Sequence, residues 1–215
     1  MSLFPEFAWQ ERPRRQQFTI ALAEVVNTVD STGNARVQIE LPWLPGTQPW
    51  ARVAVPGAGS NRGMYMLPHE GDEVLVAFNR NDVSDCYIVG SLWSTADTPP
   101  LSAPLDPTTK ILIRTEAGHE IQLDDVANSI TVKTATGHQV ELAPGAVTLA
   151  TAKDTASIKL DQAGDVTISA TKSITLKAKE IKVEGTGKVE LESSGSVTVN
   201  GGTTCKVKAT TILLN

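Results

Sequence analysis

An eight-residue periodicity in the second half of the 215-residue chain constrains its fold more than any other feature. From Val147 onward, triplets with apolar residues at the first and third positions recur at intervals of 11, 8, 8, 7, 8, 8, 8 and 7 residues. A period near eight with alternation inside each unit indicates very short β-strands joined by tight turns. The triplets begin at Val147, Ile158, Val166, Ile174, Ile181, Val189, Val197, Cys205 and Ile212.

A unit of eight residues is too small to enclose a hydrophobic core by itself. Each short strand has unpaired backbone groups on both edges, and an octad covers roughly a third of one coil of a β-solenoid. Three chains are therefore needed to complete each turn. We predict that residues 146–215 form an intertwined, triple-stranded β-helix, whose apolar side chains face a common axis while Thr, Lys and Glu face water. At about 5 Å per stacked layer, the nine units give a needle on the order of 45 Å long.

The apolar positions of the octads are expected to form the axial core of this trimer. Cys205 stands where other units have Val or Ile, and we expect it to act as a small buried apolar group. The predicted core residues are Val166, Ile168, Ile174, Leu176, Ile181, Val183, Val189, Leu191, Val197, Val199, Cys205 and Val207.

The first half of the chain has a different composition. All ten aromatic residues lie at or before Trp93, and residues 94–109 are rich in proline, which is typical of a semi-rigid linker. Within residues 18–93, short alternating segments are separated by turn-forming Gly, Asn and Asp residues. Five or six strands in such a short span predict a small closed barrel, because closure removes exposed strand edges. Our first choice is a barrel like the oligonucleotide/oligosaccharide-binding (OB) fold.

A duplicated segment in residues 110–145 connects the linker to the octads. Both copies share the pattern T-x-x-G-H-x-[IV]-x-L, and they place His119 and His138 at equivalent positions 19 residues apart. We expect hairpin-like strands here that begin the trimer. Three copies of either histidine could form a metal-binding ring, but a histidine after glycine can equally cap a turn or stack on its neighbour, and we favour these structural roles. The sequence therefore predicts neither a metal nor a cofactor.

The net charge, the N-terminal sequence and the cysteine spacing argue against several classes of protein. The chain has a formal net charge of -5, and residues 19–109 carry four basic and ten acidic residues, which argues against nucleic acid as a partner. No apolar run reaches the length of a membrane span, and the N-terminus lacks a secretory signal. Cys86 and Cys205 have no metal or redox spacing. We expect a protein made in the cytoplasm and exported only as part of a larger particle.

Several segments together resemble the central spike of contractile injection systems. They are Ala51–Pro56, Leu67–Phe78 and Tyr87–Trp93, followed by the T-x-x-G-H repeats and the Val- and Ile-rich octads. Similar proteins include phage baseplate assembly protein V and the spike portion of valine-glycine repeat proteins of type VI secretion. The resemblance implies a homotrimer without enzymatic activity. Such a spike sits at the tip of the inner tube and transiently crosses the membrane of the target cell.

The chain also departs from relatives in this family. Only about 17 residues precede the barrel, so the resemblance implies that the hub is a separate protein. We expect residues 1–17 to contact that hub through Phe4, Phe7, Trp9, Arg12, Arg14 and Arg15. No His-x-His motif follows His138, and the apolar residues Ile212, Leu213 and Leu214 come just before the last residue, Asn215. The resemblance implies that a small tip protein of the proline-alanine-alanine-arginine (PAAR) type covers this apolar end.

Three other functions compete with a spike. A β-helical polysaccharide-degrading enzyme would need long coils and a groove with acids, whereas octads leave no groove. An OB-fold protein that binds nucleic acid is opposed by the acidic barrel. A trimeric fibre or adhesin usually ends in a receptor-binding head. His69 precedes two acids, but Pro-His-Glu-Gly-Asp is an ordinary turn before a strand, and no catalytic residues are predicted.

Overall fold

A computed structural model describes residues 20–101 and 106–213, with the side chains of residues 106 and 107 excepted. The chain divides into two compact units, Met1–Ala135 and Thr136–Asn215, and each is described by itself. Apart from a four-residue helix at Asp106–Thr109 and a short 3-10 turn at Ala152–Asp154, the regular structure of the described residues is β-sheet. The predicted all-β fold class is confirmed.

The first unit contains a closed five-stranded barrel. Its strands are β1 (Ile20–Asn27), β2 (Arg36–Glu40), β3 (Trp50–Val53), β6 (Glu73–Asn79) and β7 (Asp82–Leu92). Between β3 and β6, the short strands β4 (Ala58–Gly59) and β5 (Arg62–Gly63) pair in a hairpin. The barrel strands follow the order β1-β2-β3-β7-β6, and only the β3–β7 pair is parallel. The prediction of an OB-like barrel is confirmed.

Alternation along each strand builds the barrel core. In β2, for example, Val37 and Ile39 are fully buried while the residues on either side of them are partly exposed. Inward-facing residues from all five strands join one cluster, so the barrel completes its own hydrophobic core. The core consists of Ala23, Val25, Val37, Ile39, Leu41, Ala51, Val74, Val76, Phe78, Cys86 and Ile88.

A network around Asp30 fixes the connection between β1 and β2. Its carboxylate accepts hydrogen bonds from the backbone N–H groups of Thr32 (3.0 Å), Asn34 (3.1 Å) and Arg36 (3.2 Å). The Arg36 guanidinium forms an ion pair with the same carboxylate at 3.0 Å. Arg36, together with hydrogen bonds from Thr32, lowers the pKa of Asp30 far below its ordinary value. The charged form of Asp30 therefore stabilises the folded barrel.

We expect Asp30→Asn to lower the stability of the barrel at neutral pH, because the amide cannot replace the ion pair with Arg36. The folded-state pKa of Asp30 is depressed, so its contribution is present above the pKa of the unfolded chain, about 4, and is lost as the pH falls further. Urea unfolding of both proteins at several pH values measures the difference. A gap that stays constant from pH 7 to pH 2.5 would contradict the assignment.

Three more strands complete the first unit beyond the linker. They are β8 (Lys110–Arg114), β9 (Glu120–Asp124) and β10 (Ser129–Lys133), and they pair in an antiparallel meander. Asp124 accepts hydrogen bonds from the backbone N–H groups of Val126 and Ala127, which closes the turn into β10. Ile111, Leu123 and Ile130 lie directly opposite one another across the three strands. We call these strands the first meander.

The second unit begins with another antiparallel meander. Its strands are β11 (Gln139–Ala143), β12 (Ala146–Ala150), β13 (Ala156–Asp161) and β14 (Val166–Ala170), which pair in chain order. We call them the second meander. After Ala170, the described residues 171–213 contain no strand formed within the chain.

The structure therefore differs from the predicted start of the β-helix at residue 146. Residues 146–170 pair antiparallel within one chain, because the turns between their strands reverse the chain direction. One of these turns is the 3-10 segment Ala152–Asp154, and the other contains Gly164 with a φ of 94°. The first three apolar triplets belong to hairpins, and only the later octads lack partners in their own chain.

Candidate assembly surface

The first meander has one apolar face that none of the described residues covers. Register pairs Ile111 and Ile130 with Leu123, and it pairs Ile113 and Val132 with Ile121. These six side chains form two straight rows across the strands, and they remain 37–65% exposed. A sheet with an exposed apolar face is stable only when another surface covers that face.

The second meander repeats this arrangement. Val147 lies opposite Leu142 on one side and Leu160 on the other, and Leu149 lies between Val140 and Ile158. Val166 and Ile168 of β14 continue the two rows. All of these residues except Val140 are at least 37% exposed. We call the rows on the two meanders the apolar face.

Apart from Leu112, polar and charged residues occupy the opposite face of the first meander. Lys110 pairs with Asp124 across β8 and β9 at 3.6 Å, and Arg114 forms an ion pair with Glu120 on the same strands. Hydrogen bonds from the backbone, chiefly at Ala127, and the nearby Lys110 lower the pKa of Asp124. Since the charged side chains lie only on this face, the face is suited to contact with water. The apolar face is suited to contact with another protein surface.

The later octads have an even larger apolar exposure. The eight predicted core residues from Ile174 to Val199 are 53–79% exposed in the single chain. Val207 is 71% exposed, and Cys205 is also exposed. Burial of apolar surface is worth roughly 25 cal/mol per Å², so this segment gains almost none of the energy that would hold it folded alone. Placement in a common core remains a prediction.

Both repeat histidines take part in turns. The Nδ1 atom of His119 accepts a hydrogen bond from the backbone N–H of Ala135 at 3.4 Å. The Nδ1 atom of His138 accepts one from the backbone N–H of Ala152 at 3.1 Å. Gly118 and Gly137, which precede them, have φ angles of 91° and 94°. These contacts agree with turn capping, whereas the metal ring remains a prediction that this single chain does not test.

The pattern T-x-x-G-H did not identify a third copy of this turn. In residues 161–165, Asp161 replaces the threonine of the pattern and Asp165 replaces the histidine, while Gly164 keeps the positive φ. The Asp161 carboxylate accepts hydrogen bonds from Ala163 and Asp165, as the Thr115 hydroxyl does from His119. The signal was the spacing D-x-x-G-D, which becomes visible once the side chains are compared by hydrogen-bonding role.

The remaining predicted residues are distributed over the chain. Trp43 packs edge-on against Phe78, and Arg36 lies over the ring of Trp50 at 5.7 Å. Ile212 and Leu213 are exposed. Leu214 and the six predicted hub-contact residues in positions 1–17 lie outside the described residues. Across the described chain, no group of three or more His, Cys, Asp or Glu residues is arranged to hold a metal.

Two family models match the chain, and they follow the division seen in the structure. The model described as the type VI secretion system/phage-baseplate injector OB domain matches residues 21–93. The phage baseplate V C-terminal trimerisation domain matches residues 110–171. The chain thus carries the injector OB domain and the C-terminal trimerisation domain of phage-baseplate and type VI secretion proteins. The trimerisation domain coincides with the two meanders, which carry the apolar face.

Two proteins of Vibrio cholerae are similar to part of this chain. The type VI secretion system spike protein VgrG3 is 32% identical over 105 residues, which are 44% of this chain and 10% of VgrG3. The actin cross-linking toxin VgrG1 is 35% identical over 89 residues, which are 39% of this chain and 8% of VgrG1. The match thus spans a tenth or less of these relatives. Within the residues described here, no helix is long and apolar enough to span a bilayer.

Charge placed on the apolar face should break the assembly. We expect Leu149→Lys to convert the protein to smaller species, because burial of a charge costs several kcal/mol per ion and every copy would carry one. Thr148→Lys is the matched control, since Thr148 neighbours Leu149 on β12 but lies on the polar face. Light scattering coupled to size exclusion measures the mass. Equal masses for the two variants would show that the apolar face is not a subunit contact.

Proposed function

We propose that the chain forms a homotrimeric spike at the tip of the inner tube of a contractile injection system, where it mechanically pierces the target envelope. One observation carries the proposal. Each meander carries an apolar face that no described residue covers, and the octads of residues 171–213 have neither a strand partner nor a buried core among the described residues. Three copies would supply both the missing strands and the missing core.

Mechanical stiffness is the activity in this proposal. Three intertwined chains would satisfy the backbone groups of residues 171–213 through hydrogen bonds between chains, and they would enclose Val, Ile and Leu around a dry axis. Such a needle resists local opening, since any strand that leaves it exposes both its backbone and its apolar side chains. The proposal assigns no chemical reaction to the chain, and the matched domains are named for injection and for trimerisation.

Partners at the two ends complete the proposal. We assign residues 1–17 to contact with a separate hub protein, because aromatic and arginine residues are typical anchors of interfaces. At the other end, Ile212 and Leu213 are 51% and 86% exposed, and three copies would present an apolar surface of the kind that a PAAR-type tip protein covers. The assembled spike would belong to a phage-tail-like or secretion particle and would enter the target cell envelope on contraction.

The octads allow a test of the needle itself. We expect a mass near three times 22.9 kDa for the native protein. Val199→Asp should lower the melting temperature strongly, because it would place three carboxylates at the axis. Thr198→Asp changes the neighbouring, outward position and should alter stability by less than about 0.5 kcal/mol per chain. Thermal unfolding followed by circular dichroism compares them. A native monomer, or equal melting temperatures for both variants, would refute the needle.

Deletion of residues 2–16 tests the contact with the hub. Removal of Phe4, Phe7, Trp9 and the three arginines should abolish capture of the hub protein of the same particle, because these residues supply the proposed anchors. The trimer should persist, since the deletion leaves both meanders and the octads intact. Unchanged capture by the shortened protein would rule out the arm as the anchor.

A further inference from the structure

The outer surface of the barrel carries a second apolar patch that the assembly surface does not include. Two rows cross strands β1, β6 and β7 on the outside: Ile20 lies opposite Ala77, and Leu22 lies opposite Leu75. A bulge beside Leu75 presents Val89 next to the second row. Ile20, Leu22 and Val89 are 60%, 48% and 49% exposed. We call these five residues the barrel patch.

An acidic row adjoins the barrel patch. Glu24 lies opposite Glu73 in the next register position along β1 and β6, and Asp97 lines the same shallow cavity as both residues and Leu22. No cationic side chain within the described residues forms an ion pair with Glu24, Glu73 or Asp97. The surface therefore suits an occupant that combines apolar side chains with positive charge.

We propose that the N-terminal segment of this same chain, Phe4–Arg15, docks on the barrel patch and the acidic row of its own barrel. The segment contains Phe4, Phe7 and Trp9, which match the apolar rows, and Arg12, Arg14 and Arg15, which match the three carboxylates. It lies outside the described residues, and residues 16–19 connect it to β1, which begins at Ile20. The aromatic and basic composition of the segment and its short connection to the barrel both favour it as the occupant.

Chain length permits the docking. Glu24 lies four residues beyond Ile20 on β1, at about 13 Å, whereas the eight residues from Arg12 to Ile20 span up to about 27 Å. The arginines can therefore turn back to the acidic row. Trp9 lies three residues further, close enough to return to Leu22 and Leu75. A tether this short gives an effective concentration in the mM range, so modest contact energy suffices.

A second copy of the chain is a poorer occupant. Association of two copies through the same face would bring Glu24 and Glu73 against acidic residues of the same kind, which costs energy. The docking is made within one chain in the absence of the hub. Because the hub contact proposed above uses the same side chains, the segment would leave the barrel patch when the hub binds.

Hydrogen exchange of the full-length protein without any hub tests the proposal. We expect the backbone amides of residues 4–15 to exchange at least about tenfold more slowly than in an unfolded chain, because docking protects them. The double variant Glu24→Lys/Glu73→Lys should remove this protection. Asp125→Lys/Glu180→Lys makes the same change in net charge at exposed positions outside the barrel and should leave it intact. Slow exchange of the backbone amides in β2 and β3 verifies that the barrel is folded in the native protein and in both double variants.

Disulfide capture then identifies which barrel holds the segment. Trp9→Cys with Leu22→Cys, in a Cys205→Ser background, should form an intrachain disulfide under oxidised glutathione and run as a single 22.9 kDa chain on a non-reducing denaturing gel. Burial raises the pKa of the Cys86 thiol to about 11, so this residue should not interfere. Trp9→Cys with Asp125→Cys is the control pair.

Three results would overturn the inference. They are exchange of residues 4–15 at the unfolded rate, protection that survives Glu24→Lys/Glu73→Lys, and a cysteine link that joins two chains. Because none of these measurements contains the hub, they are independent of the deletion experiment. Loss of hub capture could accompany either outcome.

Discussion

Uncovered apolar surface is the constraint on which the rest of this structure depends. Both meanders place most of their Val, Ile and Leu side chains in straight rows on one face, and no described residue covers that face. Residues 171–213 go further, since within the described part of the chain they have neither a covered face nor paired strand edges. A polypeptide with these properties gains its stability from association, because neither apolar burial nor backbone pairing is complete in one copy.

The barrel provides a contrast within the same molecule. Ten buried residues from five strands, together with Leu41, complete its core, and closure removes the exposed edges. The barrel can therefore fold independently, whereas the described residues of the C-terminal part leave their apolar side chains uncovered. A spike benefits from this division, because a self-sufficient domain can carry attachments while the shared domain provides symmetry and stiffness.

Much of this organisation was predictable from sequence. Alternation with a period of two identifies which residues share a face, so the barrel strands and the apolar octad positions could be recognised from the residue pattern. The pattern around Gly118 and Gly137 predicted turns, and positive φ angles are found at both glycines. The period does not specify which strand lies beside which. For this reason residues 146–170 were assigned to the β-helix, although β12, β13 and β14 pair antiparallel in the structure.

The sequence by itself determined an all-β chain with a self-contained first half and a one-sided apolar second half, because side-chain alternation follows directly from strand geometry. Only the tertiary structure decided the strand order of the barrel, the extent of the second meander and the barrel patch beside Glu24 and Glu73. Those features depend on register between distant segments, such as Leu22 and Leu75. Register is set by turn geometry and packing in three dimensions, which local periodicity does not contain.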